Sequence, residues 1–92
     1  MARRTEHGAE RHADADRPTS EAAADRASAT EIYVDVESQY YVFVGARGRT
    51  HVFTAEGLHH TSFRTTRGNR RVREQEGKWA RIERDRLPES LK

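Results

Sequence analysis

Regular alternation of hydrophobic and polar positions begins in this chain only at about residue 31. Ile32-Tyr33-Val34-Asp35-Val36-Glu37 alternates with a period of two, the pattern of a strand with one wet face. Three runs rich in Val, Phe, Tyr and Thr follow, at 40–44, 50–54 and 58–65, separated by Gly45-Ala46-Arg47-Gly48 and by Glu56-Gly57. Runs this short, broken by glycine-bearing turns, predict strands joined by hairpins. Residues 40–63 hold most of the bulky apolar side chains, so the core must assemble around them.

Opposed residues in antiparallel strands share a face. Tight turns at Ser38-Gln39, Arg47-Gly48 and Glu56-Gly57 therefore sort the side chains. One face gathers Ile32, Val34, Val36, Tyr41, Phe43, Thr50, Val52, Thr61 and Phe63, and is the expected core. The other gathers Tyr33, Asp35, Glu37, Tyr40, Val42, Val44, His51, Phe53, Leu58, His60, Ser62 and Arg64, a mix of rings, imidazoles and charge. A slip of one residue in any hairpin exchanges the members of the two sets.

Beyond Thr65 the chain turns polar, with good helix formers after Asn69 and a stop at Gly77, which predicts a basic helix over 67–76 capped by Thr65 or Thr66. Val72 is its only bulky apolar residue and its expected anchor. Lys78-Trp79-Ala80-Arg81-Ile82 alternates again, predicting a short final strand over 78–82 with Trp79 in or near the core. Residues 88–92 follow Leu87-Pro88 and are expected to fray. Residues 1–30 hold no Val, Ile, Leu, Phe, Tyr or Trp, only nine Ala, five Arg, six acidic residues and other small or polar ones. With nothing bulky to bury they are expected to be disordered, with a transient helix in Ser20-Glu21-Ala22-Ala23-Ala24-Asp25-Arg26. The expected fold is α+β: a small antiparallel β-meander, one basic helix and a short final strand, in a domain spanning 31–87.

Composition narrows the function classes. A folded unit of about 55 residues lies near the lower size limit for an unstapled domain, so a partner or a second copy covering the second sheet face would add stability. Cysteine is absent, which removes disulfides and thiolate metal sites. Arg3-Arg4 leads into charged residues with no apolar run, so no signal peptide is expected at the start, and no run approaches the roughly 18 apolar residues of a spanning helix. The expectation is a soluble, cytoplasmic protein with no membrane association, no cofactor and no metal. Net charge is only +2, yet residues 64–86 carry nine basic against four acidic side chains.

That arginine-rich segment beside an aromatic sheet face points to nucleic acid, because guanidinium groups neutralise phosphates while exposed rings stack unpaired bases. The expected contacts to RNA or single strands are Arg64, Arg67, Arg70, Arg71, Arg73, Lys78 and Arg81, with Tyr33, Tyr40 and Phe53 as stacking rings. The alternatives are a protein-interaction or homodimerisation domain without catalysis, and a metal-independent RNase-like toxin domain. In the last, His51 and His60 would act as acid and base beside Arg64. Adjacent His59 and His60 point to opposite faces of a strand and do not suit chelation. No serine-centred or cysteine-centred nucleophile arrangement is visible, and the Gly45–Arg47–Gly48 loop has neither P-loop nor dinucleotide spacing.

Overall fold

The computed structural model describes residues 19–92. Five strands, β1 (Glu31–Asp35), β2 (Tyr41–Val44), β3 (Arg49–Phe53), β4 (His59–Arg64) and β5 (Trp79–Arg81), form one antiparallel sheet in the order β4-β3-β2-β1-β5. Helix α1 (Ala22–Ser28) precedes the sheet, and helix α2 (Arg67–Gln75) carries the chain from β4 at one edge to β5 at the other. The α+β class, the meander, the basic helix and the final strand are as the alternation pattern predicts.

Each hairpin has a local cause. In the first, Asp35 Oδ1 accepts the backbone N–H groups of Glu37 and Ser38 at 3.1 and 3.0 Å, an Asx turn that widens the connection. β1 consequently pairs Ile32 with Phe43 and Val34 with Tyr41, two residues away from a tight turn, which leaves the face assignment intact. The second hairpin closes through a 3-10 turn at Ala46–Gly48 with Arg47 at φ +59°, pairing Val42 with Val52 and Phe43 with His51. A tight Arg47-Gly48 turn would pair Phe43 with Val52. The register therefore differs from the sequence expectation by one residue, and β3 and β4 exchange faces relative to β1 and β2.

Two cores result, one on each side of the sheet. On the first, Ile32, Phe43 and Phe53 pack with Ala22 and Ala29 of the N-terminal segment and with Leu87 and Leu91 of the C-terminal segment. The Phe43 and Phe53 rings meet edge to face at 5.7 Å. On the second, Tyr33, Val42, Val44, Val52 and Trp79 form a cluster joined by Tyr40 and Phe63. Both faces are closed by the chain itself.

The termini correct the sequence reading. Residues 1–18 of the segment expected to be disordered lie outside the described residues. Residues 22–28, by contrast, form a docked helix, preceded by a 3-10 turn at Thr19–Glu21, with Glu21 rather than Ser20 in the capping position and no side-chain cap bond. At the other end the 3-10 turn Glu89–Leu91 places Leu91 at 1% exposure, so 88–92 is anchored rather than frayed. The folded unit thus reaches past 31–87 in both directions.

Helix α2 starts from a capping box in which Thr66 Oγ1 accepts from Asn69 N at 3.1 Å and the Asn69 side chain accepts from Thr66 N. Val72 does not anchor it, being 50% exposed. Arg73 does so instead: its guanidinium lies over the Trp79 ring at 4.7 Å and near the Phe63 ring at 5.8 Å. A long guanidinium side chain can cover apolar rings while its head stays wet.

Candidate functional site

The richest concentration of charge is a cleft of about 380 Å³ on the second side of the sheet, lined by Glu31, Tyr33, Arg67, Arg70, Arg71, Glu74 and Arg81. Strand alternation places Glu31 and Tyr33 of β1 on this side, and pairing of Tyr33 with Arg81 brings in β5. Arg67, Arg70, Arg71 and Glu74 fall at i, i+3, i+4 and i+7 of α2, one stripe of the helix.

Glu31 is the fixed point of the cleft. Its Oε2 accepts Arg70 Nε at 2.8 Å and the Tyr33 hydroxyl at 2.5 Å. Arg70 is held further by Nη1 donating to Thr65 Oγ1 at 2.9 Å, and Arg81 lies over the Tyr33 ring at 5.2 Å. Burial works to raise the Glu31 pKa, but the hydrogen bonds from Tyr33 and Arg70 outweigh it and hold the carboxylate below its ordinary range. Burial, then the bond to Glu31, push the Tyr33 phenol up to about 12. Arg67, Arg71 and Arg81 form no ion pair among the described residues.

The remaining expected contacts lie elsewhere. Arg64 is exposed at the end of β4 opposite Arg49, Arg73 is occupied by Trp79, and Lys78 pairs at the surface with Glu76 at 3.3 Å. The aromatic stacking face is corrected by the structure. Tyr33 is 2% exposed and Phe53 is fully buried on the opposite side, while Tyr40 is half-buried with its ring 4.9 Å from that of His60. Closure of both sheet faces removes the platform that stacked bases would need.

His51 and His60 are not brought together. The one-residue register change turns His51 inward, fully buried, to meet α1, whereas His60 meets Tyr40, which packs with the second cluster. His51 belongs instead to a buried polar chain that sequence reasoning missed. Arg49 donates two bonds to Asp25, Nε to Oδ2 at 2.8 Å and Nη2 to Oδ1 at 2.9 Å. His51 Nε2 lies 2.7 Å from Asp25 Oδ2, and His51 Nδ1 lies 2.7 Å from Ser62 Oγ, which is 2.8 Å from His59 Nε2.

Carboxylate chemistry sets the proton direction along this chain. Asp25 is kept below its ordinary pKa first by the Arg49 bond, so it only accepts, and His51 Nε2 must carry a proton. Burial pushes the His51 pKa down despite Asp25, so the ring is neutral and Nδ1 accepts from Ser62. Ser62 then accepts from His59 Nε2–H. The order Asp, His, Ser is that of a nucleophilic triad, but Ser62 is fully buried and its hydroxyl already serves both imidazoles. A serine that no substrate can reach is a structural member, and the chain ties α1 to β3 and β4.

No group of three or more His, Cys, Asp or Glu suited to a metal ion occurs among the described residues, and no described helix is long and apolar enough to cross a membrane. The chain matches no known protein family, no curated protein and no solved structure.

Proposed function

We propose that this protein binds the phosphate backbone of RNA or single-stranded nucleic acid in the arginine cleft between α2 and strands β1 and β5. One observation carries the reading: four guanidinium groups converge on a single concave site, and of these four only Arg70 forms an ion pair with a carboxylate among the described residues. Guanidinium forks suit phosphate oxygens, and a concavity of about 380 Å³ suits a protruding phosphodiester of a flexible strand better than the flank of a stiff duplex. With Tyr33 and Phe53 buried, stacking contributes nothing, so recognition on this reading is of the backbone and indifferent to base sequence.

Fluorescence anisotropy of a labelled oligoribonucleotide, titrated over a range of salt, tests the proposal. Each phosphate neutralised on a single strand contributes about −0.7 to the slope of log K against log salt, so contact through Arg67, Arg71 and Arg81 gives a slope near about −2. Replacing those three with Ala is expected to abolish binding. Absence of affinity at low salt, or affinity that survives the triple replacement, refutes the reading.

A further inference from the structure

A carboxylate set among phosphate-binding cations opposes phosphate affinity, and Glu31 stands in the middle of this cleft with its side chain 27% exposed. Its two bonds, from Tyr33 and Arg70, both land on Oε2. Among the described residues Oε1 accepts no hydrogen bond. The carboxylate is therefore held through one oxygen and keeps unused lone pairs on the other, in a cleft that Arg67, Arg71 and Arg81 also line. Such a group accepts from a neutral hydroxyl lying between phosphates, and the only donor that RNA has and DNA lacks at that place is the ribose 2′-hydroxyl.

We propose that Glu31 Oε1 accepts the ribose 2′-hydroxyl of a strand whose phosphates lie on the cleft arginines, making this a site selective for RNA over DNA. The inference rests on the backbone-binding reading above and adds to it the sugar chemistry. Ion pairing with Arg70 alone is not a sufficient account of Glu31, since that pair engages one oxygen and leaves the other without a hydrogen bond among the described residues. Glu74, at the outer end of the helical stripe, is exposed and has no comparable restraint among the described residues.

Three oligoadenylates with identical bases separate the outcomes: ribo, deoxy and 2′-O-methyl, each titrated by anisotropy at one low salt concentration. A hydrogen bond to a charged acceptor implies that the ribo strand binds about tenfold or more tightly than the deoxy strand. The 2′-O-methyl strand, which keeps the sugar oxygen but lacks the donor, is expected to bind as weakly as deoxy. Glu31→Met, checked for folding by circular dichroism, is expected to abolish the preference, so that the variant binds ribo and deoxy strands equally. Equal binding of ribo and deoxy strands overturns the inference but leaves the phosphate reading standing, whereas no binding of any strand overturns both. If the variant does not fold, the 2′-O-methyl strand decides alone: binding as tight as ribo overturns the inference.

Discussion

His51 Nε2 lies 2.7 Å from Asp25 Oδ2, so a fully buried imidazole of β3 is bonded to a carboxylate of α1 across 26 residues of sequence. The same carboxylate takes both forks of Arg49. One aspartate thereby fixes the helix that closes the first core, and Gly45 is its necessary neighbour: a Cβ there would lie 2.5 Å from the Asp25 carboxyl carbon.

Asp25→Ala is expected to cost about 3 kcal/mol of folding stability, because it strands a buried His51 N–H and removes the partner of Arg49. The urea midpoint measures it. A loss below about 1 kcal/mol would mean that α1 is held by its other contacts: Ala22 and Ala29 in the core, Arg26 over the Phe53 ring, and the Arg84 bonds to the carbonyls of Arg26 and Ala29.

Acid should weaken the fold, and both buried groups act in the same direction. Asp25 has a folded pKa below its ordinary 3.8, so its contribution is present above that value and is lost as pH falls through the folded pKa. His51 has a folded pKa below its ordinary 6.5, so the unfolded chain takes up a proton that the folded chain resists. Stability should thus decline as pH drops below about 6.5 and continue to fall below about 4. At the alkaline end the raised Tyr33 pKa acts oppositely. Its contribution is complete below the ordinary value of 10.0 and is lost as pH rises toward about 12. Thermal melting followed by circular dichroism across this range tests both limbs, and a midpoint unchanged between neutrality and mild acid contradicts the burial of a neutral His51.

Much of this fold was legible because β-strands declare themselves by alternation, and Ile32, Phe43 and Trp79 are core residues as expected, whereas Tyr33 and Val42, assigned to the second face, are buried as well. The faces of β3 and β4 were not, since the 45–49 connection holds Arg47 at φ +59° in a longer turn that no dipeptide signal marks. Parity is lost in one step there, and with it the pairing of His51 with His60. Helix α1 was hidden for a different reason: its buried stripe is Ala22, Asp25 and Ala29, at i, i+3 and i+7, with no large side chain to announce a face. The basic segment was visible, but which arginines converge depends on the rotation of α2. Its sheet-facing side carries Arg70 and Arg73, and Val72 points away.

Two glycines with nearly equal backbone angles should respond very differently to alanine. Gly48 has φ +77° and a Cβ there would lie 2.1 Å from the Thr65 carbonyl oxygen, whereas Gly77 has φ +76° and open space around it. Gly77→Ala carries only the left-handed backbone cost, about 1–2 kcal/mol. Gly48→Ala adds a backbone collision to the same strain and is expected to lose at least about 3 kcal/mol. Equal urea midpoints for the two variants would contradict the close approach of the β2–β3 turn to the end of β4.

Arg67 and Arg70 share one stripe of α2 and line one cleft, yet the first should serve binding and the second both binding and folding. Arg70 is a half-buried hub whose side chain, 11% exposed, reaches Glu31 and Thr65. Its replacement by Ala leaves the Glu31 carboxylate and the Thr65 hydroxyl short of a partner, a loss of about 1–2 kcal/mol for a pair partly open to water. Arg67 is exposed and pairs with no carboxylate among the described residues, so Arg67→Ala should leave stability within about 0.5 kcal/mol. Its effect belongs in the anisotropy titration instead, as weaker affinity and a salt slope shallower by about 0.7. If Arg67→Ala changes the urea midpoint as much as Arg70→Ala while leaving the salt slope intact, the cleft arginines are structural and the phosphate reading loses its support.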